Sequence, residues 1–108
     1  MSSAHQSSRS IQTLDDRDAR ALTEMLHAFD DVGWAADADG LWLVYSADGT
    51  EHHVDLDTGA CDCDDAFYRD TRCKHIRLVE FLAGERDVPA WVDRSRMHDW
   101  LRAQLDER

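Results

Sequence analysis

The sequence predicts an α+β fold: an N-terminal helix, a small three-stranded antiparallel sheet, a closed loop and two C-terminal helices. Apolar spacing is helical near the start of the chain and again after His75. Between Val32 and Cys63 it alternates with a period of two, broken by Asp-Gly pairs that signal hairpin turns. All three cysteines lie where the strand pattern gives way to the helical one, as Cys61-Asp62-Cys63, nine residues, then Cys73-Lys74-His75.

Residues 1–10 are Ser-rich and aperiodic, which predicts a disordered tail ahead of a single domain at 11–108. Thr13 is a capping residue, and Asp15 and Asp16 suit the positive end of a helix. Leu14, Leu22, Met25, Leu26 and Phe29 fall on one face, so the expected helix runs about four turns and closes at Gly33. In the alternating stretch, a two-residue turn at Asp48-Gly49 would set Tyr45 opposite His52, Leu43 opposite Val54 and Leu41 opposite Leu56. A turn at Asp39-Gly40 would add Trp34 opposite Tyr45 and Ala36 opposite Leu43, all on one core face. Trp42 and Val44 then point the other way and need cover. Asp57-Thr58-Gly59 marks a third turn into Ala60 and Cys61. Residues 64–72 read as a loop whose Phe67 packs under the cysteines. Ile76, Leu78, Val79, Phe81, Leu82 and Ala83 predict a buried helix ended by Gly84. Asp87 or Asp93 caps the last helix, with Pro89 in a first-turn position, and Met97, Trp100, Leu101 and Leu105 form its apolar stripe.

The paired spacing of Cys61, Cys63, Cys73 and His75 carries the chemistry. Three thiolates and one imidazole are a standard tetrahedral donor set for structural zinc, and no cysteine is left for a disulfide or a nucleophile. Cys73 and His75 are expected to open a helix, where free backbone N–H groups favour thiolate. The closed loop is thus a zinc-closed loop, with Zn2+ as the cofactor. Structural zinc contributes about 10–16 kcal/mol of apparent binding free energy in finger peptides, which matters to a chain of 108 residues. With every metal position filled, no nucleophile elbow and no Gly-rich phosphate loop, the sequence predicts no enzyme. His52 reads as a hydrogen-bonded core residue, His53 as an outward neighbour of Glu51 and Asp55, and His27 and His98 as helix-surface residues.

The same residues resemble a known family. C-x-C, a spacer, then C-x-H is the pattern of the SWIM-type zinc finger, and the resemblance spans about residues 32–84. It implies a β-hairpin-plus-helix zinc module with Cys61, Cys63, Cys73 and His75 as ligands, used for nucleic-acid or protein interaction rather than catalysis. The chain resembles short haloarchaeal SWIM-domain proteins.

Charge adds to this. The chain holds 23 acidic residues against 12 Lys and Arg, a net charge of −11. Asp far outnumbers Glu and Lys74 is the single lysine, a balance that resembles salt-loving archaeal proteins, where acidity maintains solubility. Residues 21–68 contain no Lys or Arg, after which Arg69, Arg72, Lys74 and Arg77 follow in quick succession. These four are the candidate contact surface for DNA or for an acidic protein partner. The odd cysteine count and the absence of an apolar leader or span predict a cytoplasmic protein with no membrane role and no small-molecule substrate.

Overall fold

Asp15 opens the first helix by accepting the Arg17 N–H on its carboxylate at 2.9 Å, which satisfies one of the donors a helix start leaves free. The structure is a computed structural model, and it describes residues 15–69 and 71–107. The expected tail at 1–10, together with Thr13 and Leu14, lies outside the described residues. In chain order the elements are α1 (Asp16–Thr23), β1 (His27–Phe29), a 3-10 turn (Gly33–Asp37), β2 (Leu41–Tyr45), β3 (Glu51–Asp55), β4 (Ala60–Cys61), α2 (Asp64–Arg69), α3 (Lys74–Leu82), a second 3-10 turn (Arg94–Arg96) and α4 (Asp99–Asp106). The α+β class is as the sequence predicts. The sheet has four antiparallel strands in the order β1-β2-β3-β4.

The extra strand comes from the stretch read as the end of the first helix. That helix stops at Thr23, and His27–Phe29 pair with Tyr45–Leu43 along the edge of β2. Satisfying the backbone groups of that edge outweighs a helical spacing that would have buried Met25, which instead lies 62% exposed.

The hairpin register also differs by one residue from the two-residue-turn expectation. Val44 faces His52, Trp42 faces Val54 and Tyr45 faces Glu51. The turn has three residues, Ala47-Asp48-Gly49, closed by Ser46 N–H to Thr50 O at 2.9 Å, with Gly49 in the left-handed region at φ 89°. A left-handed glycine after a tight turn adds one residue to the loop, and one residue of slip exchanges the two faces of a strand. Trp42, Val44, Val54 and Ala28 therefore form the face beneath α3, where Val44 and Val54 are fully buried. Leu43 points to the opposite side and is covered by the Gly33–Asp37 turn, which replaces the strand expected around Trp34 and Ala36.

The core joins this face to Leu22 and Leu26, to Ile76, Leu78, Val79 and Phe81 of α3, and to Met97 and Leu101. Glu85 N–H reaches Glu80 O and Gly84 N–H reaches Phe81 O, so α3 ends at a left-handed Gly84 as expected. The last helix starts later than Asp87 or Asp93 would place it. Asp93 caps the second 3-10 turn, and His98 caps α4 through Nδ1. This helix docks on its own chain, with Leu101 fully buried and His98 N–H donating to Leu22 O at 3.0 Å. Among the described residues, no helix is long and apolar enough to cross a membrane.

Candidate metal centre

Three elements, β4, α2 and α3, bring the Cys/His motif together. Cys61 ends β4, opposite Val54 of β3, so its side chain shares the core face of the sheet. Two residues on, Cys63 leads into α2, with its carbonyl accepting the Phe67 N–H at 3.0 Å. Cys73 is the N-cap of α3 and His75 lies in its first turn, as expected from the spacing. Their donor atoms all lie within 4.8 Å of one another. His75 Nδ1 is 3.8 Å from Cys61 Sγ and 3.7 Å from Cys73 Sγ. Zinc bond lengths of about 2.0–2.3 Å give a tetrahedron whose edges are about 3.5–3.8 Å, so the cluster fits such an ion with little adjustment. It is a three-Cys, one-His group that could hold a metal ion.

The electrostatics of the cluster favour a cation at its centre. Hydrogen bonding from Cys61, opposed by burial and helped by His75, takes the Cys73 thiol down to about 4. The same bond to Cys73, together with burial, pushes Cys61 up, and burial raises Cys63. Three crowded sulfurs cannot all ionise without a compensating positive charge, and a divalent ion supplies it. With Nδ1 turned towards the sulfurs, His75 Nε2 is buried and has no hydrogen-bond partner among the described residues. The His52 ring stacks on His75 at 4.1 Å between centroids. Sequence reasoning placed His52 on the core face but missed this contact, because alternation along β3 does not say which side chain of α3 lies above it.

Residues 64–72 are not a simple loop. Asp64–Arg69 form α2, which turns Ala66 inward and leaves Phe67 and Tyr68 outside, 74% and 77% exposed. Phe67 does not pack under the cluster, contrary to expectation. Its ring instead meets Tyr68 edge-on at 4.8 Å.

Each of the four basic residues that follow has a carboxylate partner within the chain. Arg69 pairs with Asp65 at 3.4 Å and Arg72 with Glu80 at 3.5 Å. Lys74 pairs with Glu24. Arg77 is 9% exposed, pairs with Asp15 and Asp18 and donates to Arg72 O at 2.7 Å. The structure does not gather them into one open face.

A second set of cations, which linear proximity does not reveal, gathers beside the cluster. Arg17 and Arg20 of α1 are three apart and so share a helix face, and α1 packs along α3. Arg17 holds Asp65 of α2 through two contacts, at 2.7 and 3.0 Å, which ties α2 to α1. His53, as expected, faces outward, with Nε2 2.9 Å from Glu51. No family model matches this chain, and no curated protein and no solved structure matches it.

Proposed function

We propose that the chain is a non-enzymatic, SWIM-type zinc-binding interaction module. Its zinc is structural, held by Cys61, Cys63, Cys73 and His75, and its working surface is offered to a protein partner. The observation that carries this reading is the exposed Phe67–Tyr68 pair on α2, the short helix enclosed between the two ligand pairs. Two large aromatic side chains side by side on a surface are costly to leave in water and are characteristic of interface anchors. A metal that fixes both ends of the segment would pre-organise them and lower the ordering cost of binding. The DNA reading has less support, because Arg77 is buried and paired with Asp15 and Asp18, which interrupts the basic run along which a phosphate backbone would have to lie.

Zinc content and unfolding test the structural claim. Cys63→Ser or His75→Ala should lose stoichiometric zinc together with the cooperative transition of the middle segment, and a variant retaining both refutes it. The partner claim is tested with a photo-crosslinking residue at position 68. A defined protein partner should crosslink there, should not crosslink from position 48 on the far hairpin, and should be lost in Phe67→Ser. Saturable DNA binding in molar KCl that disappears in Arg69→Glu/Arg72→Glu would instead favour DNA.

A further inference from the structure

We propose that the cleft beside the metal cluster is a binding site for a phosphate-type oxyanion. The cleft has a volume of about 310 Å³; Arg17, Arg20 and Lys74 line it together with Asp65, and three donors of the cluster, Cys63, Cys73 and His75, form part of its wall. It is distinct from the Phe67–Tyr68 surface and does not depend on it. In a chain with a single lysine and a large acidic excess, three cationic side chains from two different helices converge on one opening. His52 and Ser46 of the hairpin add imidazole and hydroxyl groups, while Asp65 is already held by Arg17. A tetrahedral oxyanion has enough oxygens to use all of these donors, whereas a carboxylate has two.

The exposure of one ion pair also points to a ligand. Each cation has one carboxylate partner in the free protein, but the Arg20–Asp16 pair is 57% and 74% exposed at its two side chains. Exposed pairs of this kind contribute little, so Arg20 can exchange Asp16 for a bound anion at small cost. Arg17 is different, because its double contact with Asp65 makes it a fixed post rather than a mobile clamp.

The test titrates the zinc-loaded full chain by calorimetry and phosphorus NMR, in dilute and in molar KCl. The probes are inorganic phosphate, a nucleoside 5′-monophosphate, the same nucleoside without phosphate, and a single-stranded oligonucleotide lacking terminal phosphates. Inorganic phosphate and the monophosphate should bind at one saturable site with zinc content unchanged, and the bare nucleoside should not. Arg20→Gln and Lys74→Gln should each weaken binding about tenfold or more, the usual consequence of losing a charged hydrogen bond. Asp16→Asn, which frees Arg20, should tighten it. Absence of saturable phosphate binding, or binding indifferent to both Arg20→Gln and Asp16→Asn, overturns the proposal. Because Arg20 is exposed, those two variants keep the test decisive even where Lys74→Gln fails to fold. Oligonucleotide binding that Arg20→Gln abolishes supports the cleft, assigns the phosphate to a nucleic-acid strand and overturns the protein-partner reading. Binding of inorganic phosphate and the monophosphate alone supports the cleft and leaves that reading standing.

Discussion

Asp18 is the side chain on which the packing of α1 against α3 most depends, and Asp18→Ala should destabilise the protein by about 2–3 kcal/mol. Its carboxylate accepts from Arg86 at 2.9 and 2.8 Å and from Arg77 at 3.2 Å. Side-chain exposure is 9% for Asp18, 11% for Arg77 and 32% for Arg86. Breaking a buried ion pair by removing one partner costs about 3–5 kcal/mol, because the other charge stays buried. Here each arginine keeps a second carboxylate, Asp15 for Arg77 and Glu80 for Arg86, both at 3.2–3.3 Å, which lowers the expected loss.

Urea unfolding of the zinc-loaded protein measures this directly. With a slope of about 1 kcal/mol per molar for a domain of this size, the midpoint should fall by about 2–3 M. Zinc content should not change, since Asp18 is no ligand. The double variant Asp18→Ala/Arg77→Met should lose less than the sum of the single losses, because the second change removes the stranded charge. Burial raises the Asp18 carboxyl, but Arg86 and Arg77 outweigh it and hold the group below its ordinary value. Its contribution is therefore present above about pH 4 and is lost as pH falls through the folded value. A loss under about 0.5 kcal/mol, the range of an ordinary surface change, would refute the claim that this triad clamps the helices.

His98 should give the fold a mild acid sensitivity. Burial, with His27 nearby, lowers it from 6.5 to about 4, so stability is full above pH 6.5 and declines as pH falls towards 4. That gap corresponds to about 3 kcal/mol, and partial solvation reduces the expected loss to about 1–2 kcal/mol. Denaturant midpoints of wild type and His98→Asn across this range should converge at low pH; parallel curves would exclude His98 as the cause. Leu101→Ala should cost about 2–4 kcal/mol, because the fully buried side chain holds α4 on the core. A loss below about 1 kcal/mol, read by thermal unfolding, would mean that α4 contributes little to the fold.

The cysteine cluster was legible in the sequence because metal ligation is a local constraint. Two C-x-C-like pairs must each turn inward, and the N-cap of a helix is one of few backbone settings that turns Cys73 and His75 together. The helix of residues 74–82 was equally legible, being apolar almost all round and closed by a glycine. What failed depended on non-local choices. One residue in the Ala47-Asp48-Gly49 loop decided whether Leu43 or Val44 faced the core, and both side chains are equally apolar. Both ended buried, at 3% and 0%, because the chain covers each face of the hairpin. Alternation alone could not have chosen between them. The exposure of Phe67 was hidden for a related reason: a six-residue helix can be entered in several phases, and the Arg17–Asp65 contact that fixes this one comes from a residue 48 positions away.

The placement of the cluster follows from how little its surroundings can do alone. β4 has two residues and α2 has six, both well below the length at which a strand or helix persists without help. They reach the core mainly through Val54 opposite Cys61, Ala66 beneath α2, and the cysteines themselves. By contrast, α1, α3 and β1–β3 interlock through Leu22, Val44, Val54, Val79 and Phe81, none more than 1% exposed. The free energy of a bound metal would therefore act where apolar burial is thinnest, on the segment between Ala60 and Cys73. That segment carries both Phe67 and Tyr68 and the Asp65 that anchors Arg17. A metal bound at this position would therefore order α2 from both ends, where neither a long helix nor a deep apolar contact does so.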